Sequence, residues 1–307
     1  MSSILTNVSA MTALQSLNQT NKNLEITQAR IATGYKVASA ADNAAYWSIA
    51  TTMRSDNKAL STVLDALGLG AAKVDVAYTG VNAAIDVVDE IKMKLVAARE
   101  PGVDKVKIQS DIAALQQQLI SNAGAASFSG ENWLSVDSGA ATYTATKSIV
   151  ASFTRASDGT VAVSTIDIDI TSTELFDADD QSGILDTEFT TTGAGAVTVS
   201  ISTLDITATD IDNTDLDEMI SAVDAGLASM TTAASDLGAA KKRVGLQQDF
   251  VGKLMDSIER GVGQLVDADM TKESTRLQAL QVQQQLGIQA LSIANSNSQN
   301  VLALFRG

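Results

Sequence analysis

Two runs of mostly apolar residues, spaced alternately by three and four positions, constrain this chain more than any other feature. The first starts at Tyr46 and passes through Ala50, Met53, Asn57, Leu60, Leu64, Leu67, Ala71, Val74, Tyr78, Val81, Ile85 and Val88, with Ile91 and Leu95 extending it. The second runs Leu216, Ile220, Val223, Leu227, Met230, Ala234, Leu237, Lys241, Val244, Gln248, Val251, Met255, Ile258, Val262 and Leu265. Only Lys241 and Gln248 break it. A stripe that keeps a 3.5-residue period over so many turns is the signature of a coiled coil. At 1.5 Å per residue each helix is roughly 70 Å long, so the sequence predicts rods.

Between the rods, Ile108, Ile112, Leu115 and Leu119 mark a shorter helix after Pro101-Gly102, a turn that holds the one proline of the chain. So short a connection predicts antiparallel packing. From about Ala140 to Ile211 the pattern changes to alternation: "TYTATKSIVASFT", "TVAVSTIDIDI" and "AVTVSISTLDITAT", with Asp158-Gly159 as a hairpin signal. Short antiparallel strands are expected, one face packed and one acidic face in water. Thr214 is expected to cap the second rod, with Asp215, Asp217 and Glu218 placed favourably at the helix N-terminus.

The net charge of −15 matters less than where it lies. From Glu131 to Glu218 seventeen acidic residues face two basic ones, Lys147 and Arg155, so the rest of the chain is neutral overall. The first charged residue is Lys22, and none occurs between Arg276 and Arg306. A chain so acidic offers no basic face for a phosphate backbone, which argues against nucleic acid. The uncharged C-terminal stretch is no membrane span, because "QALQVQQQLGIQALSIANSNSQN" carries too many amides for hydrocarbon. The N-terminus has neither the basic region nor the apolar run of a signal peptide.

Uncharged but amide-rich ends suit a crowded, partly polar interface, where charges are expensive and amides can pair. At the N-terminus Val8, Met11, Leu14, Leu17, Leu24 and Ile31 form a narrow stripe, with Asn21 and Gln28 in the same seam. At the C-terminus Leu277, Leu280, Leu286, Ile288 and Leu291 do the same, followed by Val301, Leu304 and Phe305 in the closing "VLALFRG". Neither stripe holds a helix alone, so both ends are expected to order on association and to form the subunit interface.

Each end meets its rod at a joint. In "ARIATGYKVASAADNAAYWSIA", Gly34 suits a left-handed cap, and Ser39 to Asp42, followed by Asn43, resembles a capping box that starts the next helix. A matching break, "VDADMTKEST", falls around Asp267 and Asp269. Tyr46 and Trp47, just past the first joint, are either a contact between subunits or aromatic filler.

Chemistry is sparsely provided for. There is no cysteine and no histidine, which removes disulfides, thiolate metal sites, the Ser-His-Asp triad and HExxH zinc sites. No carboxylate pair stands out by spacing, and neither an enzymatic role nor a cofactor is expected. "DADDQSG" (Asp177 to Gly183) has Ser182 where a calcium loop needs glycine, so it reads as a solvated acidic loop. "AKKRVG", holding Lys241, Lys242 and Arg243, reads as counter-charge for a neighbour's acids.

The two joints and the C-terminus carry a family resemblance. "ARIATGYKVASAADNAAYWSIA" resembles the helix-break segment of bacterial flagellins, approximately R-L-S-S-G-x-R-I-N-S-A-x-D-D-A-A-G. "LVDADMTKEST" is similar to their I-x-D-x-D-(Y/M)-x-x-E, and "SNSQNVLALFRG" to their Q-x-x-Q-N-V-L-S-L-L-R. The family's second aspartate is Asn43 here, its glycine is Tyr46, and its R-I-N is Lys36-Val37-Ala38. The resemblance covers about 1–135 and 210–307.

It implies a mainly α fold with a β-rich insert: an elongated antiparallel coiled-coil helical bundle with short antiparallel strands in the outer segment. Residues 1–42 and 266–307 would form the filament core (D0), 43–139 and 212–265 the rod (D1), and 140–211 the variable acidic outer part. The implied function is a structural subunit that polymerises with itself into the flagellar filament, the propeller for swimming. The implied place is extracellular, reached by type III export without a cleaved signal. The implied partners are an export chaperone, the filament cap and hook–filament junction proteins. The alternative is a hook–filament junction protein.

Overall fold

The computed structural model describes residues 7–156 and 158–304, with side chains through Asn297. The helices are α1 (Val8–Thr33), α2 (Ala44–Ala98), α3 (Lys105–Ala125), α4 (Asn213–Val266) and α5 (Met270–Leu304). The strands are β1 (Ser127–Phe128), β2 (Glu131–Asn132), β3 (Ser135–Val136), β4 (Thr146–Arg155), β5 (Val161–Asp169), β6 (Phe176–Asp177), β7 (Phe189–Thr190) and β8 (Thr198–Val199). The chain is mainly helical with a β-rich insert, as the periodicity predicts. It divides into two compact units, residues 1–57 with 256–307, and residues 58–255.

In the 58–255 unit α2 and α4 run antiparallel. Three ion pairs tie them in one register: Asp75 with Lys241, Lys92 with Asp224, and Arg99 with Asp217. Every step along α2 from one pair to the next is matched by an equal step back along α4. These pairs are exposed and weakened by water and salt, so their use is to fix register. The energy lies beneath them. Leu60, Leu67, Val74, Val81, Val88, Ile91 and Leu95 are all buried on α2, as are Leu216, Val223, Met230, Leu237, Val244 and Val251 on α4. Burying each such side chain stabilises by about 1.5–3 kcal/mol.

The stripe expected from sequence is right at these positions and one residue late at those between. On α2 the buried residues are Val63, Gly70, Ala77 and Ala84, not Leu64, Ala71, Tyr78 and Ile85. On α4 they are Met219, Gly226 and Ala233, not Ile220, Leu227 and Ala234. Bulk suggested the wrong partner in most of these cases. Glycine or alanine stands at five of these seven positions, and at Gly70 and Gly226 other parts of the unit lie directly on the helices. A Cβ on Gly70 would stand 2.4 Å from Ile149 Cγ2 of β4, and one on Gly226 would stand 2.4 Å from Ile201 Cδ1. Shifting the seam also removes the break at Lys241, which is exposed and paired with Asp75.

β4 and β5 form the expected antiparallel hairpin around Asp158-Gly159, with Gly159 at φ 88°. Ile166 and Ile168 face inward and Asp167 and Asp169 face water. A bulge at Ala151 turns its carbonyl towards α4, where it accepts a hydrogen bond from Gln247 Nε2 at 2.9 Å. The third expected strand shrinks to β8, which pairs with β7. The chain beyond it is held by side chains instead. Gln116, buried on α3, donates to the carbonyls of Ile201 (3.2 Å) and Leu204 (3.0 Å), and Gln109 brackets Leu204 and Ile206. β3 and β6 pair in parallel, which alternation over two residues cannot signal.

Two acidic assignments change. Asp212, not Thr214, caps α4: its Oδ1 accepts from the Thr214 and Asp215 N–H groups at 2.8 and 3.0 Å. Asp215 turns inward and is fully buried. The Thr191 hydroxyl and the N–H groups of Asp212 and Gly195 hold its carboxyl down at about 2. In the "DADDQSG" loop, read from sequence as solvated, Asp177 is buried: its carboxylate accepts from the Ser138 and Asp179 N–H groups and the Ser182 hydroxyl, which ties the loop to the chain after β3.

Gly68 and Gly70 separate helix propensity from packing. A Cβ on Gly68 meets nothing within 4 Å, whereas one on Gly70 meets the stiff, β-branched Ile149. In urea denaturation Gly68→Ala is expected to stabilise by about 0.5–1 kcal/mol. Gly70→Ala is expected to destabilise by about 1–3 kcal/mol despite the same gain in propensity. Equal effects of the two substitutions would contradict the close approach of β4.

Candidate functional site

The terminal helices and their joint lie together in the unit formed by residues 1–57 and 256–307. α1 begins at Asn7, whose side chain accepts from the Ala10 N–H at 3.0 Å, and ends at Gly34 in the left-handed conformation (φ 74°). The Gly34 N–H closes the helix on the Arg30 carbonyl. Without a Cβ, Gly34 adopts that conformation at no steric cost.

The joint is a small two-stranded crossing. Tyr35 and Asp267 form an antiparallel bridge; the Lys36 N–H donates to the Val266 carbonyl at 2.8 Å, and the Ala268 N–H donates to the Gly34 carbonyl at 2.8 Å. Lys36 Nζ reaches the Gln264 carbonyl at 2.7 Å. Val37, Ala50, Val262 and Val266 make the core beneath, with Met53, Ile258 and Leu265 against it. The two breaks that look separate in the sequence are therefore one structure.

Ser39 and Asp42 have another role than the expected capping box. The Asp42 carboxylate accepts from the Ser39 N–H (2.9 Å), the Ser39 hydroxyl (3.1 Å) and the Ala38 N–H (3.1 Å), closing a turn before α2. Those Ser39 bonds hold the Asp42 carboxyl below the usual range. Asn43 caps α2, its Oδ1 accepting from the Tyr46 N–H at 3.1 Å. At the return joint Asp269 caps α5, accepting from the Thr271 and Lys272 N–H groups. Tyr46 and Trp47 are exposed, and Arg54 lies over the Tyr35 ring.

α1 and α5 pack antiparallel. Leu280 and Thr27 are buried between them, and Leu17, Leu24, Ile31, Leu277 and Leu291 are half-buried. Gly287 lets Leu17 approach. Amides bond across the helix pair: Asn7 Nδ2 donates to the Ala294 carbonyl (2.9 Å) at a part-buried site, and Gln284 Nε2 donates to Asn21 Oδ1 (2.8 Å) at the exposed edge. An ion pair stands at the joint end, Arg30 to Glu273 at 3.2 Å, with Glu273 largely buried.

The expected interface residues thus split in two. Leu17, Leu24, Ile31, Leu277, Leu280 and Leu291 join α1 to α5 within the chain. Val8 (70% exposed), Met11 (63%), Leu14, Leu286 and Ile288 stand in the open. Val301, Leu304 and Phe305 lie outside the residues whose side chains are described. Ile26, Val282 and Ile293 are also exposed and are missed by the stripe read from sequence. A second stripe, drawn opposite the first, would have found Val282 and Ile293.

The corrected cap is directly testable. Asn43→Ala is expected to cost about 1 kcal/mol and to speed amide exchange in the first turn of α2. Ser39→Ala, which leaves that cap intact, is expected to leave exchange there unchanged. The reverse ranking would restore Ser39 as the cap.

Among the described residues no helix is long and apolar enough to cross a membrane. Comparison with known proteins bears on the same helices. Residues 4–138 match the family described as "Bacterial flagellin N-terminal helical region", and residues 220–305 match "Bacterial flagellin C-terminal helical region". The chain is 54% identical to Flagellin C of Rhizobium meliloti (strain 1021), 47% identical to Flagellin A of Rhizobium meliloti and 48% identical to a flagellin of Brucella melitensis. In each case all of both chains is covered. With the helical ends, the joint and the matches in agreement, the chain belongs to the bacterial flagellin family.

Proposed function

We propose that the outward faces of α1 and α5 are the surfaces through which copies of this chain build the core of the flagellar filament. As a flagellin the chain is a structural subunit of that filament and not an enzyme, and nothing favours the hook–filament junction alternative. One observation carries the interface reading. The paired terminal helices turn Val8, Met11, Leu14, Val282, Leu286 and Ile293 outward on segments almost free of charge. Covering each contributes about 1.5–3 kcal/mol, and several together offset the cost of bringing subunits to order. Residues 1–42 and 266–307 would then be core, 43–139 and 212–265 rod, and 140–211 the outward acidic part. Head-to-tail contacts that do not close would give an open polymer.

Two further expectations come from the family resemblance. The subunit would leave the cell through the flagellar export apparatus without a cleaved signal and reside in the extracellular filament. An export chaperone, the filament cap and hook–filament junction proteins would be its other partners.

The test is seeded growth. Purified monomer with filament seeds should elongate into long filaments, followed by light scattering and electron micrographs. Deletion of residues 1–42 or 268–307 should abolish elongation while the 58–255 unit keeps its helical circular dichroism. Elongation by either truncated chain would remove the ends from the interface, and short capped stubs from the full chain would point to a junction protein.

A further inference from the structure

The 58–255 unit carries two exposed stripes of opposite charge and matching apolar content. On α2, Asp86, Asp89, Glu90, Met93 and Val96 lie within one face by helical spacing, and all are exposed. On α4, Lys242, Arg243, Leu246, Phe250 and Lys253 do the same, with Asp249 as the one acid at the edge. Each stripe places two large apolar side chains in water: Met93 and Val96 are 57% and 52% exposed, and Leu246 and Phe250 are both 57% exposed. Their neighbours on the same helices, Lys92, Arg99 and Lys241, are paired within the chain. The ion pairs found for the rods include none of these charges, but Arg243 already lies near Asp167 of β5. The Ser148 and Thr165 hydroxyls, joined by Arg243, hold that carboxyl low.

Charge next to exposed apolar surface, in two complementary copies, is the pattern of an interface with an apolar centre and a polar rim. The stripes cannot meet within the subunit. Register places Leu246 beside α2 near residue 70, so the stripes lie about 35 Å apart along the rod at 1.5 Å per residue.

We infer that the basic stripe of one copy docks on the acidic stripe of a second copy. Leu246 and Phe250 meet Met93 and Val96, while Lys242, Arg243 and Lys253 face Asp86, Asp89 and Glu90. The occupant is another copy of this chain because each stripe supplies the charge opposite to the other's and an apolar pair to match it. Two different patches at different heights make a heterologous contact, which repeats along the rods. The contact rests on the filament reading and adds to it a charge-dependent lateral or axial bond outside the core. The basic residues after Lys241 gain their neighbour's acids in this way.

Charge reversal in four full-length chains tests the pairing. The first is wild type; the second carries Asp89→Lys with Glu90→Lys; the third carries Lys242→Glu with Lys253→Glu, which leaves Arg243 beside Asp167; the fourth carries all four substitutions. Circular dichroism confirms that each is folded, and the critical concentration for seeded growth is then measured at low and high salt. Either single-stripe reversal should raise the critical concentration at least about tenfold at low salt, and salt should narrow the difference. The fourfold variant, in which opposite charges again meet, should return to within about threefold of wild type. Unchanged growth of the single-stripe variants, or a fourfold variant as poor as the two defects combined, would overturn the pairing. Wild type that ignores seeds would instead sink the filament reading itself.

Discussion

Along α2 and α4, alternate layers of the seam are closed by small residues, and this lets the rest of the 58–255 unit lie directly on the helix pair. Within the seam Gly70 admits Ile149 and Gly226 admits Ile201, and beside it Gly80 admits Leu134, each at a distance that a methyl group would violate. Leucine and valine in the other layers supply the burial energy. The ion pairs above the seam hold the register that brings each glycine under its own neighbour. A slip of one residue would put bulk where the hairpin and loop must pack. The 140–211 segment, though acidic and poor in long strands, is therefore anchored through α2 and α4 rather than through a sheet of its own.

In the terminal unit the balance differs. α1 and α5 share a narrow seam in which amide contacts, a buried threonine and a joint-end ion pair stand beside the leucines. That seam satisfies one face of each helix and leaves Val8, Met11, Leu14, Val282, Leu286 and Ile293 exposed on stretches without charge. Backbone bonds across Gly34 to Val37 and Val266 to Ala268 hold both breaks in one crossing, so the two terminal helices leave the joint together. Charge is kept out of the ends and collected in the acidic insert, which is the arrangement expected if crowded contacts lie at one and solvent at the other.

Much of this was legible in the sequence. The rods, the short third helix, the hairpin around Asp158-Gly159, the uncharged ends and both joints follow from spacing and turn chemistry. What failed did so for identifiable reasons. The seam was misplaced at alternate layers because the bulk of Leu64, Tyr78 or Leu227 is normally a safer sign of burial than Gly70, Ala77 or Gly226, and tertiary approach decides otherwise. Caps were assigned to Ser39 and Thr214 although Asn43 and Asp212 are the residues whose side chains reach the first helical N–H groups. The backbone ties made by Gln109 and Gln116 join residues about ninety positions apart, and no local pattern announces them. The split of the terminal stripe into a seam within the chain and an open face needed the register of α1 against α5.

If neighbouring copies complete the terminal helices while the rods are complete alone, the difference lies in how readily each opens. Amide hydrogen exchange, compared between monomer and polymer, tests this most directly. Amides in 8–33 and 270–297 should exchange quickly in the monomer and slow by orders of magnitude in the polymer, with those buried in 60–95 protected in both. Equal protection of the terminal helices in monomer and polymer would contradict the account, because the open faces of α1 and α5 would then need no partner.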